Sequence, residues 1–466
     1  MKITFLGANQ QVTGSRYCLE AGGSKIMIDC GLVQEREFVS RNWDPCPVPP
    51  NEVDALLLTH IHIDHCGLIP KLVHDGFKGP IHATHPSVAL VKIMLLDSAR
   101  IQKEDVDYKK KRHRKEKRKG KHPEVPLYTE RDAEEALTLF RGLDYAQTIK
   151  INDAFSVTFH EAGHILGSAM LEIEARENGQ TRQILFSGDI GQWDKPIIRD
   201  PSLFEQADYV IMESTYGDKD HIDAGEIEEQ LFKIITDTFS RGGKVLIPTF
   251  AVERAQELMY YIGRLVHNDR IPDVPVYLDS PMAVDVTDIF RKSRRYYDEK
   301  TWDLINSDEP PLRFHGLRMV RQAKDSKNIK NLKGPCIIMA TSGMCTAGRI
   351  KHHLKNNIGS SNCTVLFVGY QGRSTLGRVI QSGKPEVRIH GQKYHVKAKV
   401  EQIHGFSGHA DRSGLLRWLG NLKPNPRHVF LTHGEKEASF DLAETLKRDS
   451  GLSVSVPEYL ETADLD

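Results

Sequence analysis

Four side chains that can bind zinc lie within six residues of one another: His60, His62, Asp64 and His65. They follow the apolar run 55–58 and precede a glycine, which is typical of the turn after a buried strand. Imidazole nitrogen and carboxylate oxygen are ligands that Zn²⁺ accepts. Alternation along the chain directs His60 and His62 one way, whereas Asp64 and His65 turn toward a second position. We therefore expect this motif to contribute ligands to two metal ions.

Acids and histidines also end other apolar runs of the sequence. Asp29 and Glu213 come directly after the runs 26–28 and 210–212. Asp189 and His433 follow the segments 184–188 and 429–432. Because ligands gather at the carboxyl ends of strands in α/β sheets, we expect these side chains to converge on one pocket. Together they supply a bridging carboxylate, further imidazoles and supporting acids, which are the components of a two-metal hydrolase.

The runs that carry these side chains are rich in Ile, Leu, Val and Phe, which predicts buried strands. In the first 208 residues, such strands alternate with helices predicted at 86–102 and 130–139, and this alternation indicates an α/β domain. A second alternating stretch, with strands predicted at 244–247, 276–278, 336–340 and 364–368, is consistent with a Rossmann-like open sheet. Histidine and acid motifs return from about His395. We therefore interpret the chain as one domain, 1–208 and 391–466, interrupted by an insertion at 209–390.

Several longer motifs occur in a fixed order along the chain. The first group is Asp29, the His60–His65 motif, AGHILGS at 162–168, GD at 188–189, ESTYG at 213–217, GHAD at 408–411 and LTHG at 431–434. A second group, inside the insertion, is PTFAV at 248–252, DSPM at 279–282, SGM at 342–344 and GYQ at 369–371. On these motifs the sequence resembles the metallo-β-lactamase-fold nucleases with a β-CASP insertion, especially the RNA-processing members related to the polyadenylation endonuclease. The resemblance covers nearly the whole chain. It implies a metallo-β-lactamase αββα sandwich with an inserted Rossmann-like β-CASP domain.

The resemblance also implies a role for each site residue. It assigns two zinc ions: one held by His60, His62 and His164, the other by Asp64, His65 and His433. Asp189 would bridge them, and Asp29 would orient the ligand cluster. Glu213 and His409 resemble the family's acid–histidine pair, in which the carboxylate fixes a histidine near the leaving oxygen.

The function implied is that of a zinc-dependent ribonuclease. It would hydrolyse phosphodiester bonds of single-stranded RNA, by internal cutting and with 5′ exonuclease activity. His409 would protonate the leaving 3′ oxygen, so the products would carry a 5′-phosphate and a 3′-hydroxyl.

The insertion is expected to face the metal domain across a cleft that holds RNA phosphates. The candidate contacts are the segment 341–343 and the cations Arg254, Arg349, Arg373 and Arg378. Taken alone, each of these arginines is better interpreted as a surface or interdomain ion-pair residue.

One competing motif is present. Residues 160–164 read H-E-x-x-H, the pattern of helical zinc peptidases. That chemistry needs a helix with both imidazoles on one face, but residues 155–159 are strand-like and Gly163 costs a helix about 1 kcal/mol. The nuclease interpretation therefore requires His164 and gives His160 no role.

Three further alternatives come from the same fold. A DNA-acting β-CASP nuclease is disfavoured by His433, since the DNA-acting branch typically carries an aliphatic residue there. A thioester hydrolase is disfavoured by the insertion. A non-catalytic scaffold subunit of an RNA-processing complex would have lost metal ligands, whereas every expected ligand is present.

Composition favours a cytoplasmic protein. The chain starts directly with a predicted strand and has no stretch of eighteen apolar residues, so neither secretion nor a membrane partner is expected. The seven cysteines form no C-x-x-C pair and are interpreted as reduced thiols. Lys plus Arg and Asp plus Glu both total 63, so an RNA partner must be held by a local positive surface. A homodimer is compatible with these features.

Residues 109–121 form the strongest local positive charge, with ten basic residues in thirteen. Such a block repels itself and cannot pack into a core. It is interpreted either as a solvated face or as a contact to the RNA backbone.

Overall fold

The computed structural model describes residues 1–116, 123–221, 226–307, 309–372 and 375–466. The chain forms two compact units. Unit 1 comprises Met1–Trp193, Asp200–Asp220 and Gly408–Asp466. Unit 2 comprises Asp194–Arg199 and His221–Ser407. Unit 2 is therefore an insertion, since the chain enters unit 1 both before and after it.

The strands of the described residues are β1 (Lys2–Gly7), β2 (Arg16–Ala21), β3 (Ser24–Ile28), β4 (Ala55–Leu57), β5 (Ile81–Thr84), β6 (Phe140–Leu143), β7 (Thr148–Lys150), β8 (Phe155–Glu161), β9 (Ala169–Glu177), β10 (Gln180–Phe186), β11 (Tyr209–Glu213), β12 (Lys244–Pro248), β13 (Val276–Leu278), β14 (Leu317–Met319), β15 (Cys336–Ala340), β16 (Thr364–Phe367), β17 (Glu386–Ile389), β18 (Gln392–His395), β19 (Lys399–Gln402), β20 (His428–Thr432), β21 (Val454–Ser455) and β22 (Thr462–Asp464). The α-helices are α1 (Ile63–Cys66), α2 (Ile69–His74), α3 (His85–Glu116), α4 (Glu130–Leu137), α5 (Ile227–Ser240), α6 (Arg254–His267), α7 (Pro281–Lys292), α8 (Glu299–Asn306), α9 (Ala323–Asn328), α10 (Ile350–Asn357), α11 (Leu376–Gln381), α12 (Arg412–Leu419) and α13 (Lys436–Ser450).

Unit 1 is built on two seven-stranded sheets. Their strand orders are β22-β1-β2-β3-β4-β5-β6 and β21-β20-β11-β10-β9-β8-β7. Side chains of a strand alternate between its two faces, and Phe155, Val157 and Phe159 of β8 share one buried face. They belong to a single apolar cluster with Ile3 and Phe5 of the other sheet. The two sheets therefore pack face to face across one core.

Helices cover the outer faces of this sandwich. Leu415 and Trp418 of α12 and Leu442 of α13 pack with the other face of the second sheet, including Leu185 and Val210. On the first sheet, α3 contacts β5 and β6. The layer order is helix, sheet, sheet, helix, which confirms the αββα sandwich predicted from the sequence.

Unit 2 contains a six-stranded parallel sheet in the order β14-β13-β15-β12-β16-β19. Its central strands are fully buried, as expected of a parallel sheet covered on both faces. Ile350 and Leu354 of α10 and Ile380 of α11 pack on one face of this sheet, against Leu246 and Ile338. The Rossmann-like open sheet predicted for the insertion is confirmed.

The units differ in extent from the sequence-based division at 209 and 390. β11, which begins at Tyr209, lies between β10 and β20 in the second sheet of unit 1. Residues 391–407 lie in unit 2, because β19 pairs with β16. An apolar run shows that a strand forms but not which sheet it joins.

α3 extends well beyond the predicted helix at 86–102 and ends at Glu116. Its last turns carry the basic residues 109–115, which are exposed except for the partly buried His113. Residues 117–121 of the same basic run lie outside the described residues. Of the helices in the described part of the chain, none is both long and apolar enough to cross a membrane.

The shared core of the sandwich gives a stability prediction. Phe159 is fully buried between the sheets. Replacing it in the Phe159→Ala variant should lower the free energy of unfolding by about 3–5 kcal/mol, because the cavity is not refilled. Urea unfolding followed by circular dichroism measures this change. Phe440→Ala, on the outer surface of α13 and 42% exposed, is the matched control and should change it by less than about 0.5 kcal/mol. Equal effects of the two substitutions would contradict the assigned core.

Candidate metal centre

The carboxyl ends of five strands of unit 1 carry the acids and histidines singled out from the sequence. In the first sheet, the parallel strands β3 and β4 lead to Asp29 and to the turn that begins at His60. In the second sheet, the parallel strands β10, β11 and β20 lead to Asp189, Glu213 and His433. Parallel neighbours end at the same edge, so these side chains meet. Asp64 and His65 lie on α1, and His164 and His409 lie on loops.

Three histidines and one carboxylate form the first cluster. Nδ1 of His62 lies 3.1 Å from Nε2 of His60 and 3.1 Å from Nε2 of His164. Oδ2 of Asp189 lies 3.4 Å from Nε2 of His60 and 3.5 Å from Nε2 of His164. Ligands at about 2.0–2.1 Å from a tetrahedral zinc ion are about 3.3 Å apart. The spacing of these four atoms matches the edges of such a tetrahedron.

A second cluster lies on the other side of Asp189. It consists of Asp64, His65 and His433. Nε2 of His433 lies 3.6 Å from Oδ2 of Asp64. Oδ1 of Asp189 lies 3.3 Å from Nε2 of His65 and 3.6 Å from Nδ1 of His433. One oxygen of Asp189 therefore faces each cluster, which is the arrangement required of a bridging carboxylate.

Hydrogen bonds from outside the clusters fix the orientation of two rings. Nδ1 of His65 lies 2.7 Å from Oδ2 of Asp29, whose carboxylate also accepts hydrogen bonds from the backbone N–H and the hydroxyl of Thr59, both at 2.8 Å. Nδ1 of His164 donates to the carbonyl oxygen of Gly408 at 2.9 Å. In both rings Nε2 is left to face Asp189. Such partners are typical around metal-binding histidines because they set the tautomer.

Glu213 and His409 form a pair beside the first cluster. Nδ1 of His409 lies 3.0 and 3.1 Å from the two carboxylate oxygens of Glu213. Glu213 is buried and also accepts the N–H of Ile190 at 2.6 Å. Nδ1 of His409 is 3.9 Å from Oδ2 of Asp189. The pair therefore adjoins the carboxylate that the two clusters share. Because Glu213 lies at Nδ1 of His409, Nε2 is the ring nitrogen left for other contacts.

Two of the site residues have a left-handed backbone. The φ angle is 56° at Asp29 and 48° at His433. Such conformations are uncommon for residues other than glycine, although Asp and His adopt them more readily than most. Strain of this kind persists where surrounding structure enforces it, and it concentrates at functional sites. Here it turns each side chain out of its strand at the strand's carboxyl end.

Burial and charge separate the protonation states within the site. Burial lowers the pKa of His62 to about 4 and lowers the pKa values of His60 and His164 well below the ordinary value. These three rings are therefore neutral, as metal ligands must be. Burial would raise the pKa of Asp189, but His433 and His65 hold it well below its usual range. Its carboxylate stays ionised.

The second cluster holds protons more tightly. Burial would lower the pKa of His65, but Asp189 and Asp29 raise it well above the ordinary value. The pKa of His433 is raised in the same way by Asp189 and by the nearby carboxylate of Asp64. Burial is likewise outweighed at His409, whose pKa is raised to about 9 by Glu213 and Asp189. A cation that binds His65 and His433 must displace their protons, so its affinity rises with pH.

Two unpaired atoms test whether these residues fit a metal ion. Oδ1 of Asp189 and Nε2 of His433 are buried and make no hydrogen bond within the described residues. Leaving a buried polar atom unsatisfied costs about 1–3 kcal/mol, more for a charged group. A cation placed among Asp64, His65, His433 and Asp189 would satisfy both atoms. The donor set, its spacing and these unpaired atoms therefore fit bound metal.

The H-E-x-x-H match at 160–164 is not a helical zinc site. His160 and Glu161 are the last residues of β8, and His160 pairs with Glu172 of β9 through a 2.8 Å contact between Nε2 and Oε2. His164 follows on a loop and belongs to the first cluster. The interpretation that gave only His164 a metal-binding position agrees with this geometry.

The arginines proposed to hold phosphates differ in the contacts that they make. Arg349 is held by the buried Asp279, with 2.7 Å between Nη1 and Oδ1. Arg254 donates to the carbonyl of Val368 at 2.5 Å, and Arg378 donates to Gln381. Arg373 lies outside the described residues. For Arg349 the geometry favours the ion-pair interpretation.

Sequence analysis did not single out three groups that orient the ligands. Thr59 holds Asp29, the hydroxyl of Thr215 contacts Nδ1 of His433 at 3.1 Å, and the carbonyl of Gly408 receives His164. Thr59 and Gly408 each directly precede a recognised histidine. That adjacency is a usable signal, whereas Thr215 is placed next to His433 only by the pairing of β11 with β20.

Comparison with protein families gives three matches. A metallo-beta-lactamase superfamily domain matches residues 18–211, and a Beta-Casp domain matches residues 255–380. A Zn-dependent metallo-hydrolase RNA specificity domain matches residues 393–457. The first and third regions contain all the residues of the two clusters, and the second lies within unit 2. Glu213 of the acid–histidine pair lies just after the first region.

Individual proteins are similar over almost the whole chain. Ribonuclease TTHA0252 of Thermus thermophilus is 40% identical over 461 residues, which is 99% of both chains. Transcription termination factor FttA of Methanocaldococcus jannaschii is 32% identical over 99% of this chain and 71% of that protein. FttA of Methanococcus maripaludis is 33% identical, over 96% and 68%. A crystal structure of an Enterococcus faecalis protein of unknown function superposes with a TM-score of 0.55 at 12% identity, over 99% of both chains, which shows the same fold.

The fit of the donor set predicts that metal stabilises the protein. Adding a strong chelator to the metal-loaded chain should lower its melting temperature, because at free metal 100 times the dissociation constant a bound ion contributes about 2.7 kcal/mol. Scanning calorimetry with and without chelator measures the shift. In an Asp189→Asn variant, which keeps the side-chain volume but removes the shared charge, the shift should be much smaller. An identical melting temperature with and without chelator would contradict metal binding at this site.

Proposed function

We propose that this chain, which belongs to the metallo-β-lactamase superfamily and, within it, to the proteins with a β-CASP domain, hydrolyses RNA phosphodiester bonds at two zinc ions. The observation that carries the proposal is Asp189, which faces a donor cluster on each side while the Glu213–His409 pair adjoins it. The chain's 40% identity to a ribonuclease over its whole length supports RNA as the substrate.

The residues assigned to the two ions are those of the two clusters. His60, His62 and His164 would hold one ion, Asp64, His65 and His433 the other, with Asp189 between them. Zinc bound there supplies positive charge that lowers the pKa of water and stabilises charge developing on the phosphate. The Asp29 carboxylate contacts Nδ1 of His65 and so orients the ring, which keeps Nε2 of His65 directed at the site.

His409 is the proposed general acid. Glu213 holds Nδ1 of this ring, so the proton available for transfer is on Nε2. Transfer of that proton to the leaving 3′ oxygen leaves a 3′-hydroxyl on one product and a 5′-phosphate on the other. The buried Glu213 carboxylate stabilises the charged imidazole before transfer and fixes its orientation.

Single-stranded RNA is the proposed form of the substrate. Most of the donor atoms belong to buried side chains, with His60 fully buried and His164 and Asp189 each 2% exposed. A phosphodiester of a nucleic-acid duplex must move away from the duplex surface to approach such atoms. A flexible single strand does this at lower cost than a duplex, whose phosphates are held by base pairing.

A reducing compartment such as the cytoplasm is the proposed location. All seven cysteines are free thiols, and six of them are buried in the two units. Free thiols in this number are typical of proteins that are not exposed to oxidising conditions.

The two-ion assignment predicts the metal content of variants. The wild-type chain purified with sufficient zinc should contain close to two equivalents. A His62→Ala variant should lose the ion of the first cluster, and a His433→Ala variant the ion of the second, because each cluster keeps too few ligands. Elemental analysis measures the content. One equivalent or none in the wild type would argue against two ions.

The acid assignment predicts opposite effects for two histidines. His409→Ala should retain zinc but cleave end-labelled single-stranded RNA about 10²- to 10⁴-fold more slowly, the range for positioned acid–base catalysis. His160→Ala is the matched control: its ring contacts Glu172 on the sheet and should be dispensable. Cleavage with and without chelator, resolved by product length, tests the reaction itself and separates internal cutting from end trimming. Full activity of His409→Ala, or a wild-type chain that cuts no RNA, would overturn the assignment.

A further inference from the structure

Two large aromatic side chains of unit 2 are exposed at the carboxyl edge of its parallel sheet. Phe250, just after β12, is 41% exposed, and Tyr370, just after β16, is 64% exposed. The neighbouring strand residues Leu246 and Leu366 are fully buried, so exposure begins where the strands end. We call Phe250, Tyr370 and the intervening Met344 the aromatic edge.

The aromatic edge lies where the sheet connections change direction. β12 and β15 are neighbours in the sheet. From β12 the chain passes to β13, on the far side of β15, whereas from β15 it passes to β16, on the far side of β12. The loops after β12 and β15 therefore diverge and open a crevice between them. In open α/β sheets, ligands bind in the crevice at this topological switch point.

Glycines allow the ring of Phe250 to lie directly on the loop backbone. A Cβ atom at position 343 would come within 2.8 Å of two atoms of that ring, so only glycine permits the contact. Gly369 is similarly close, with the ring 4.0 Å from its Cβ position. Beside them, the position of a Cβ at Gly372 lies 3.4 Å from Sδ of Met344 and 3.9 Å from Cε1 of Tyr370. The three loops thus form one continuous surface.

A buried glutamine side chain joins two of these loops by hydrogen bonds. The side-chain amide of Gln371, which is 3% exposed, donates to the carbonyl of Gly343 at 2.9 Å and to that of Gly369 at 3.3 Å. This joins the loop after β15 to the loop after β16. A rigid surface loses little conformational entropy on binding, which favours affinity.

Charge around the aromatic edge suits a polyanion. Nζ of Lys351 donates to the carbonyl of Thr346 in the loop after β15, at 3.3 Å. Arg254 contributes little further charge, because its Nε lies 3.6 Å from Oε2 of the buried Glu257. Glu253 and Glu257 are 8% and 3% exposed, so neither presents its charge at the surface. The positive charge of Lys351 beside exposed rings favours a phosphate backbone over an acidic partner.

We propose that Phe250 and Tyr370 stack against nucleobases of single-stranded RNA and so form an RNA-binding site on unit 2. The inference rests on the proposed function, because RNA must be the ligand of the chain. Exposed aromatic faces combined with cations are the arrangement by which proteins hold single strands without regard to sequence, since every base has a π face. The site is therefore expected to increase affinity without selecting particular bases.

Binding of defined RNAs to the metal-loaded, full-length chain tests the proposal without relying on cleavage. The probes are a phosphorothioate-linked oligouridine, which resists hydrolysis, and an abasic oligomer of the same length and backbone. Phe250→Leu and Tyr370→Leu should each weaken binding of oligouridine by about 5- to 150-fold, the range for loss of one stacked base. Neither should weaken binding of the abasic oligomer. Fluorescence anisotropy measures both affinities.

Conservative and distant variants serve as controls. Phe250→Trp and Tyr370→Phe keep an aromatic face and should bind oligouridine as the wild type does. Trp302→Leu and Phe440→Leu remove rings that are 44% and 42% exposed elsewhere, and should also leave affinity unchanged. Melting temperatures identify any leucine variant that is unfolded. At such a position, the oligouridine affinity of the aromatic replacement is compared with that of the wild type instead.

The outcomes separate this inference from the proposed function. A wild-type chain that binds neither oligomer would overturn both. A wild-type chain that binds and cuts RNA, while the two leucine variants bind oligouridine as tightly as it does, would overturn the stacking site alone. The aromatic edge would then be left as a surface for a protein partner.

Discussion

The side chain of Asp189 is 2% exposed and has five imidazole rings within 4 Å of its oxygens. Removing a carboxylate from water costs several kcal/mol unless opposite charge replaces the lost solvation. Burial keeps the rings of His60 and His164 neutral, so these two do not provide that charge. His65 and His433 provide it only while they hold their own protons. Metal ions bound by the two clusters would replace those protons and keep positive charge on both sides of Asp189.

Much of the grouping of acids and histidines could be predicted from the sequence because several of them directly follow a strand. The runs before Asp29, Asp189, Glu213 and His433 are dense enough in apolar residues to be recognised as strands, and parallel strands share an edge. The hydrogen bonds that orient the ligands could not be predicted as easily. The contact between Thr215 and His433 depends on β11 pairing with β20, more than 200 residues away in sequence.

The fold was predictable to the level of sandwich plus insertion, and the family comparison confirms that resemblance. The extent of the insertion was less accessible. β11 has the same apolar character as the strands of unit 2, but its partners are β10 and β20 of unit 1. The composition of a strand indicates whether it is buried. It does not indicate which strands it pairs with, because that depends on residues distant in sequence. The predicted helix at 86–102 stopped short because α3 continues as a polar, solvated extension that has no apolar periodicity to reveal it.

Both units place their chemically useful side chains at the carboxyl ends of parallel strands, but they fill those ends with different residue types. In unit 1 the ends carry acids and histidines, most of them buried, that lie together in two clusters. In unit 2 the exposed rings follow β12 and β16 and the glycines they contact follow β15 and β16, while the acid at the end of β13, Asp279, has Arg349 and His353 within hydrogen-bond distance. An acid already satisfied by two basic side chains is poorly suited to hold a metal ion. Of the described residues, those whose types and spacing suit a metal ion are therefore concentrated around Asp189, and the proposed role of unit 2 is contact with the ligand rather than reaction with it.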